Sequence, residues 1–281
     1  MASASPTVRR RELGARLRAL RTAAGMTVDD VAVRMEVSPA KISRLETGAR
    51  GVSVADVRFL CELFEVSTEE RDRLLNLTRE SRRRSWWQQY GLPDSIQTYT
   101  GLEDAAVSIH QYETSLVPAL LQTADYARAV TAGTAPDASL EQVEQLVQAR
   151  LTRQDRLTTA DALELWAVVD EAALQRPIGS AAIMREQLAS LVERSRRSNV
   201  TVQILPLEAG AHPGMNSAFT LLQLEEVNDL VYVEGLIGNF FLQSAGDLAR
   251  YRRAFDQLRA IALSPRDSRD RMSRTAERLT D

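Results

Sequence analysis

Between Val37 and Gly48 the chain VSPAKISRLETG has room for one short helix, and that helix has almost nothing to bury. Ser38 can cap it, and Pro39 suits its first position, where no amide hydrogen is needed. Only Ile42 and Leu45 are large and apolar; three residues apart, they face inward together. Ala40, Lys41, Ser43 and Arg44 are left outward, and Lys41 is the only lysine in the chain. So narrow an apolar face requires neighbouring helices that hold this one in place and an outer face with another use.

The flanking sequence supplies such neighbours. Leu13, Leu17, Leu20 and Ala24 form a helical stripe that Gly25 ends. Thr27 precedes Asp30 by three, a capping-box start for a second helix carrying Val28, Val31, Ala32 and Met35. A fourth helix carries Val54, Val57, Leu60, Cys61 and Phe64, and a fifth begins near Thr68 with Leu74 and Leu75. Two helices joined by a tight turn, the second bare on its outer face, make a helix-turn-helix whose second helix enters the major groove of DNA. Lysine and arginine suit guanine O6 and N7 there, and the helix N-terminus suits a phosphate.

Charge follows the same division. Residues 1–85 hold 17 Lys+Arg against 12 Asp+Glu, and the rest hold 18 against 26. A basic head on an acidic body fits a nucleic-acid-binding module joined to a different one. The single cysteine, Cys61, excludes an internal disulfide framework and a cysteine-based zinc site, and its FLCELF setting suits a small buried residue. No apolar run reaches the roughly 18 residues of a membrane span. The start MASASPTVRRRELG lacks the apolar segment of a secretory signal, so a cytoplasmic location without membrane contact is expected.

Residues 13–64 resemble the lambda-repressor-like, or xenobiotic-response-element type, helix-turn-helix family. The resemblance rests on Gly25, Ile42-Ser43 and Glu46-Thr47-Gly48. It implies an all-α five-helix DNA-binding domain over 1–80. Pro39, Ala40, Lys41 and Arg44, with Ser43 as a lesser candidate, are placed where that family reads bases. Thr27, Ser38 and Arg50 fall where it holds phosphates, and Arg21 and Glu46 match a buried ion pair of some members. The family places glycine in the turn where this chain has Glu36, so a left-handed backbone there carries strain of about 1 kcal/mol or more.

Residues 81–98 form the expected linker. Arg82, Arg83 and Arg84 read as a solvated basic stretch or as phosphate contacts, and Trp86 and Trp87 as packing the linker onto the second domain. Beyond it, 102–115, 117–132, 139–157, 180–197 and 241–262 read as helices. Leu163–Val169, Val200–Leu205, Ala218–Leu224 and Leu230–Val233 read as strands, the last two as an antiparallel hairpin. The expected body, 99–265, is therefore α+β with a small, mainly antiparallel sheet of about four strands. Residues 266–281, poor in apolar side chains, are expected as an exposed tail.

The body holds no HExxH, phosphate-cradling glycine loop or nucleophile elbow. Asp170, Glu171 and Glu234 are the carboxylates weighed for acid-base work, although Asp170-Glu171 equally suits a helix cap. His110 and His212 lack a third metal ligand, and His212 falls in the loop AGAHPGMN. No catalytic residue, metal or cofactor is expected.

The pieces SIHQYETSLVPALLQTADYARA, VVDEAAL, VQILPLEAGAHPGMNSAFTLL and LVYVEG resemble the C-terminal domain of unnamed function common in actinobacterial helix-turn-helix regulators. That resemblance implies a regulator, often encoded beside a small partner protein. The expectation is a homodimer on double-stranded DNA whose body binds a small-molecule effector or a small partner protein; an antitoxin-like pair and a DNA-tethered enzyme are the alternatives.

Overall fold

A computed structural model describes residues 5–225, 227–236 and 238–279; the start of the stretch weighed as a signal (1–4) and the end of the tail (280–281) lie outside the described residues. Packing divides the chain into two units, Met1–Gln89 with Ile96–Ala105, and Tyr90–Ser95 with Ala106–Asp281.

The first unit is helical: α1 (Pro6–Ala23), α2 (Val28–Arg34), α3 (Pro39–Glu46), α4 (Val54–Leu63), α5 (Thr68–Glu80) and most of α6 (Asp94–Ala105). Each of the first five starts at a serine or threonine whose side chain accepts an amide hydrogen of the first turn. Leu13 and Leu17 of α1, Val31 and Ala32 of α2, Ile42 and Leu45 of α3, and Val57, Leu60 and Cys61 of α4 share one core with Leu74 and Leu75 of α5. The Cys61 thiol sits among them, and burial pushes its pKa up. The linker expected over 81–98 is not a spacer. Trp86 and Trp87 lie in a short 3-10 helix, Trp87 is buried, and a side chain added at Gly101 of α6 would strike its ring. Trp86 Nε1 donates to Asp104 Oδ1 at 3.3 Å. The tryptophans thus pack within the first unit, and α6 is a sixth helix of it.

The second unit is built on one sheet of six strands rather than four. These are β1 (Ala106–Glu113), β2 (Glu164–Asp170), β3 (Val200–Leu205), β4 (Phe219–Leu224), β5 (Leu230–Gly235) and β6 (Gly238–Leu242), in the order β3-β2-β1-β4-β5-β6. β1 runs parallel to β2 and β2 to β3, whereas β1–β4, β4–β5 and β5–β6 are antiparallel, so the sheet is mixed. The parallel pairs need crossovers. α7 (Ala124–Thr134) and α8 (Leu140–Arg153) make the first, and α9 (Glu171–Gln175) and α10 (Ala181–Arg194) the second. α11 (Ala245–Ile261) lays Phe255 and Leu258 on a sheet face formed by Tyr112, Val168, Leu221 and Val231. The β4–β5 hairpin pairs Thr220 with Tyr232 and Leu222 with Leu230.

Three further expectations fail for identifiable reasons. Residues 102–115 are not one helix; α6 ends at Ala105 and β1 begins at once. Leu102, Ala106, Ile109 and Tyr112 are all buried at helical spacing, but β1 is a central strand covered on both faces, so its burial has no period of two. Likewise β6 takes Phe241 and Leu242 from the start of the expected last helix, and α11 begins only after its Ser244 cap. The expected tail is α12 (Pro265–Arg278), which packs against α10 and β3. One fully buried methionine, Met272, and Ser268, whose Oγ accepts the Ile204 amide at 2.9 Å, dock it despite its low apolar content.

Candidate nucleic-acid interface

The helix-turn-helix is set by the ends of its helices. After α2 the amides of Glu36 and Val37 return to the carbonyls of Val33 and Ala32, a Schellman closure that needs a left-handed residue. That residue is Glu36, at φ 53°, and Glu65 repeats the device after α4 at φ 54°. Ser38 then starts α3, its Oγ accepting the Lys41 amide at 3.3 Å.

The inner side of α3 is seated at three places. Ile42 and Leu45 enter the core. Gly14 of α1 lies so close to the end of α3 that a Cβ there would be 2.5 Å from the Leu45 carbonyl oxygen and 2.6 Å from that of Glu46. Arg21 holds Glu46 in a two-pronged contact, Nε to Oε1 at 2.5 Å and Nη2 to Oε2 at 3.0 Å, while Nη1 donates to the Met26 carbonyl at 2.7 Å. The Glu46 hydrogen bond raises the Arg21 pKa, so the guanidinium stays charged. One side chain therefore ties the end of α1, the entry to α2 and the end of α3. Gly14 escaped the sequence reading, since glycine inside a helix registers only as a weak helix former.

The outer side is left to solvent. Pro39, Ala40, Ser43 and Arg44 are exposed, and Lys41 is half-buried along one flank. Thr47, named above only within the Glu46-Thr47-Gly48 motif and not as a contact residue, completes the row with Ala40, Ser43 and Arg44 at spacings of three and four. Arg50 is exposed beyond the helix, and its amide donates to the Arg44 carbonyl at 3.0 Å, which keeps the two residues side by side.

The three positions weighed for phosphate differ. Ser38 accepts from the backbone, and among the described residues nothing takes its hydroxyl proton, which is free for an outside acceptor. Thr27 Oγ1 instead donates to Asp30 Oδ2 at 2.7 Å, and the Thr27 amide donates to the same oxygen at 2.8 Å. Those bonds lower the Asp30 pKa, and exposed Asp29 and Asp30 place two carboxylates beside Thr27. The geometry weighs against a phosphate there.

In the second unit two of the three carboxylates weighed for acid-base work, Asp170 and Glu171, are occupied. Glu171 Oε1 accepts from Arg271 of α12 and Oε2 from the Leu207 amide at 3.1 Å, so this buried carboxylate fastens α12 and the end of β3. Asp170 Oδ1 accepts the Ala172 amide at 2.9 Å as the cap of α9, and Oδ2 accepts from the Tyr112 hydroxyl at 3.3 Å. His212 Nε2 lies 3.8 Å from Asp170 Oδ2, and Nδ1 accepts the Gly214 amide at 3.2 Å. Glu234 is exposed near the end of β5, and His110 stacks on Phe255 with ring centroids 4.8 Å apart. Among the described residues no group of three metal-ligating side chains is gathered, and no helix is long and apolar enough to cross a membrane.

Residues 12–74 match the model of a helix-turn-helix domain, and residues 96–274 match the Domain of unknown function (DUF5753). No curated protein and no solved structure matches the chain. With the second match covering more than half of its length, the chain belongs to the DUF5753 family, and the helix-turn-helix domain ahead of that match is the mark of a DNA-binding regulator.

Proposed function

We propose that the protein is a sequence-specific transcriptional regulator that binds double-stranded DNA as a homodimer, one α3 in each major-groove half-site. The observation that carries this reading is the two-sidedness of α3: Ile42 and Leu45 are buried, Arg21 and Gly14 grip its end, and Ala40, Ser43, Arg44 and Thr47 form an open row. Arg44 and Lys41 are the base readers, with Pro39, Ala40 and Ser43 fitting the groove wall; Ser38 and Arg50 take phosphates. A two-fold pair of such helices reads a pseudo-palindrome.

The DUF5753 part is proposed as the regulatory half, binding a small-molecule effector without turnover. The structural employment of Asp170 and Glu171 supports this over an acid-base enzyme. One feature favours pairing with a small partner protein, as in an antitoxin-like pair: Leu236 and Phe240 stand exposed at and beside the β5–β6 turn. Copurification with a co-expressed neighbouring gene product tests that second reading.

DNA binding is tested by fluorescence anisotropy with operator and random duplexes across a salt series. Arg44→Ala is expected to lose about 1–3 kcal/mol on operator and little on random DNA. Equal losses on both would remove Arg44 as a base reader. Light scattering of the protein on DNA tests the dimer, and a monomer-only result would sink it.

A further inference from the structure

The face of the sheet under α11, apolar at Tyr112, Val168, Leu221 and Val231, also carries a polar row. Ser108 of β1 stands directly opposite Gln223 of β4, and His110 opposite Leu221, so Ser108, His110 and Gln223 share that face. Asp229, just before β5, lies beside them; its Oδ1 accepts the Leu224 amide at 3.1 Å, and Oδ2 accepts from Arg252 of α11. These five residues line a hollow of about 60 Å³, and Asp229 and Arg252 also line an outer cleft of about 460 Å³ bordered by Val227 and Leu248. The outer volume lies within the range of small-molecule sites. The ion pair stands where the two spaces meet.

The chemistry of the lining restricts what fits. Asp229 and Arg252 neutralise each other. Burial lowers the His110 pKa, with Arg259 acting in the same direction, so the imidazole is neutral and offers one donor and one acceptor. Ser108 and Gln223 each offer both as well. Among the described residues no hydrogen bond engages the Ser108 hydroxyl, the His110 ring nitrogens or the Gln223 amide, whereas the carboxylates of Asp170 and Glu171 are all engaged. Among the described lining residues Asp229 and Arg252 are the only charged ones, so a charged ligand would lose its hydration without gaining a net opposite charge from the lining. We infer that this cleft between the sheet and α11 is a binding site for a small uncharged molecule with an apolar body and an amide-type edge carrying both a donor and an acceptor.

The inference rests on the reading of the DUF5753 part as effector-binding and deepens it. The apolar body would lie along Leu221 of β4 and Leu248 of α11, which pack into the core between that helix and the sheet. The amide edge would meet Ser108, Gln223 and His110, and the Asp229–Arg252 pair would flank the ligand where the two spaces meet.

The test is a methyl and imidazole NMR titration of the full-length chain with three ring probes of similar size: δ-valerolactam, cyclopentanecarboxylate and piperidinium. Lactam should shift the Leu221 and Leu248 methyls and the His110 ring saturably, with millimolar affinity as befits seven heavy atoms (about 1 mM or weaker). The two charged probes should not saturate. The double variant Ser108→Ala/Gln223→Leu, checked for an unchanged melting temperature, should weaken the lactam at least about tenfold. Equal binding of a charged probe, or lactam binding indifferent to the variant, would overturn the assignment. Saturable shifts mapping elsewhere in the second unit would overturn the cleft but leave the effector reading standing, and no saturable shift from any probe would count against both.

Discussion

Arg21 and Glu46, 25 residues apart, meet through two parallel hydrogen bonds, with side chains only 12% and 9% exposed. This contact holds α3 at its C-terminal end while leaving its outer row untouched. Removing one partner strands the other charge in a half-dry site, so Arg21→Ala or Glu46→Ala is expected to cost about 3 kcal/mol. The double variant Arg21→Met/Glu46→Leu should be more stable than either single one. Urea unfolding followed by helical circular dichroism checks this; additive losses would show that the pair is not coupled.

Gly14 allows α1 to touch the backbone of α3. Gly14→Ala is expected to destabilise the head by about 1–3 kcal/mol, because the atoms in the way are carbonyl oxygens that cannot swing aside. Gly133→Ala in α7, where a Cβ meets nothing within 4 Å, should instead add about 0.5–1 kcal/mol. Thermal melts of the two variants should move in opposite directions.

Glu36 occupies a left-handed position where glycine would be unstrained. Relief of the steric cost, partly offset by the greater freedom of glycine in the unfolded chain, predicts that Glu36→Gly raises stability by about 0.5–1 kcal/mol. A destabilised variant would mean that the Glu36 side chain contributes something its φ angle does not reveal.

What was legible in the sequence is what local chemistry dictates. Ser38-Pro39 marked the start of α3, Ile42 and Leu45 its inner side, and Thr27 with Asp30 the capping box of α2. β1 was illegible because a central strand buries both faces and borrows the spacing of a helix from Leu102 to Tyr112. α12 had a readable cap, Ser264 with Asp267, but its docking depends on Met272, Ser268 and the Glu171–Arg271 pair, contacts made only by folding. The polar row of Ser108 and Gln223 is a matter of register, and register spans two strands more than a hundred residues apart.

Burial pushes the Glu113 carboxyl up to about 8, with Glu234 adding to the rise and Gln111, whose Nε2 donates to it at 2.7 Å, and Arg150 opposing it. The folded chain thus keeps a proton that the unfolded chain, near the ordinary 4.5, has released. Stability is full below that ordinary value and falls as pH rises from about 5 to about 8, where the loss levels off. Glu113→Gln should flatten this dependence. Calorimetric melts at several pH values check it; a slope surviving the substitution would assign it to another group.

The central claim is that the outer row of α3 reads DNA sequence, and the most direct measurement is sequencing of genomic fragments captured by the full-length protein beside its Lys41→Ala/Arg44→Ala variant. The predicted result is a shared pseudo-palindromic motif enriched by the wild type and lost in a variant that remains folded. The same motif captured equally by both proteins would contradict the account.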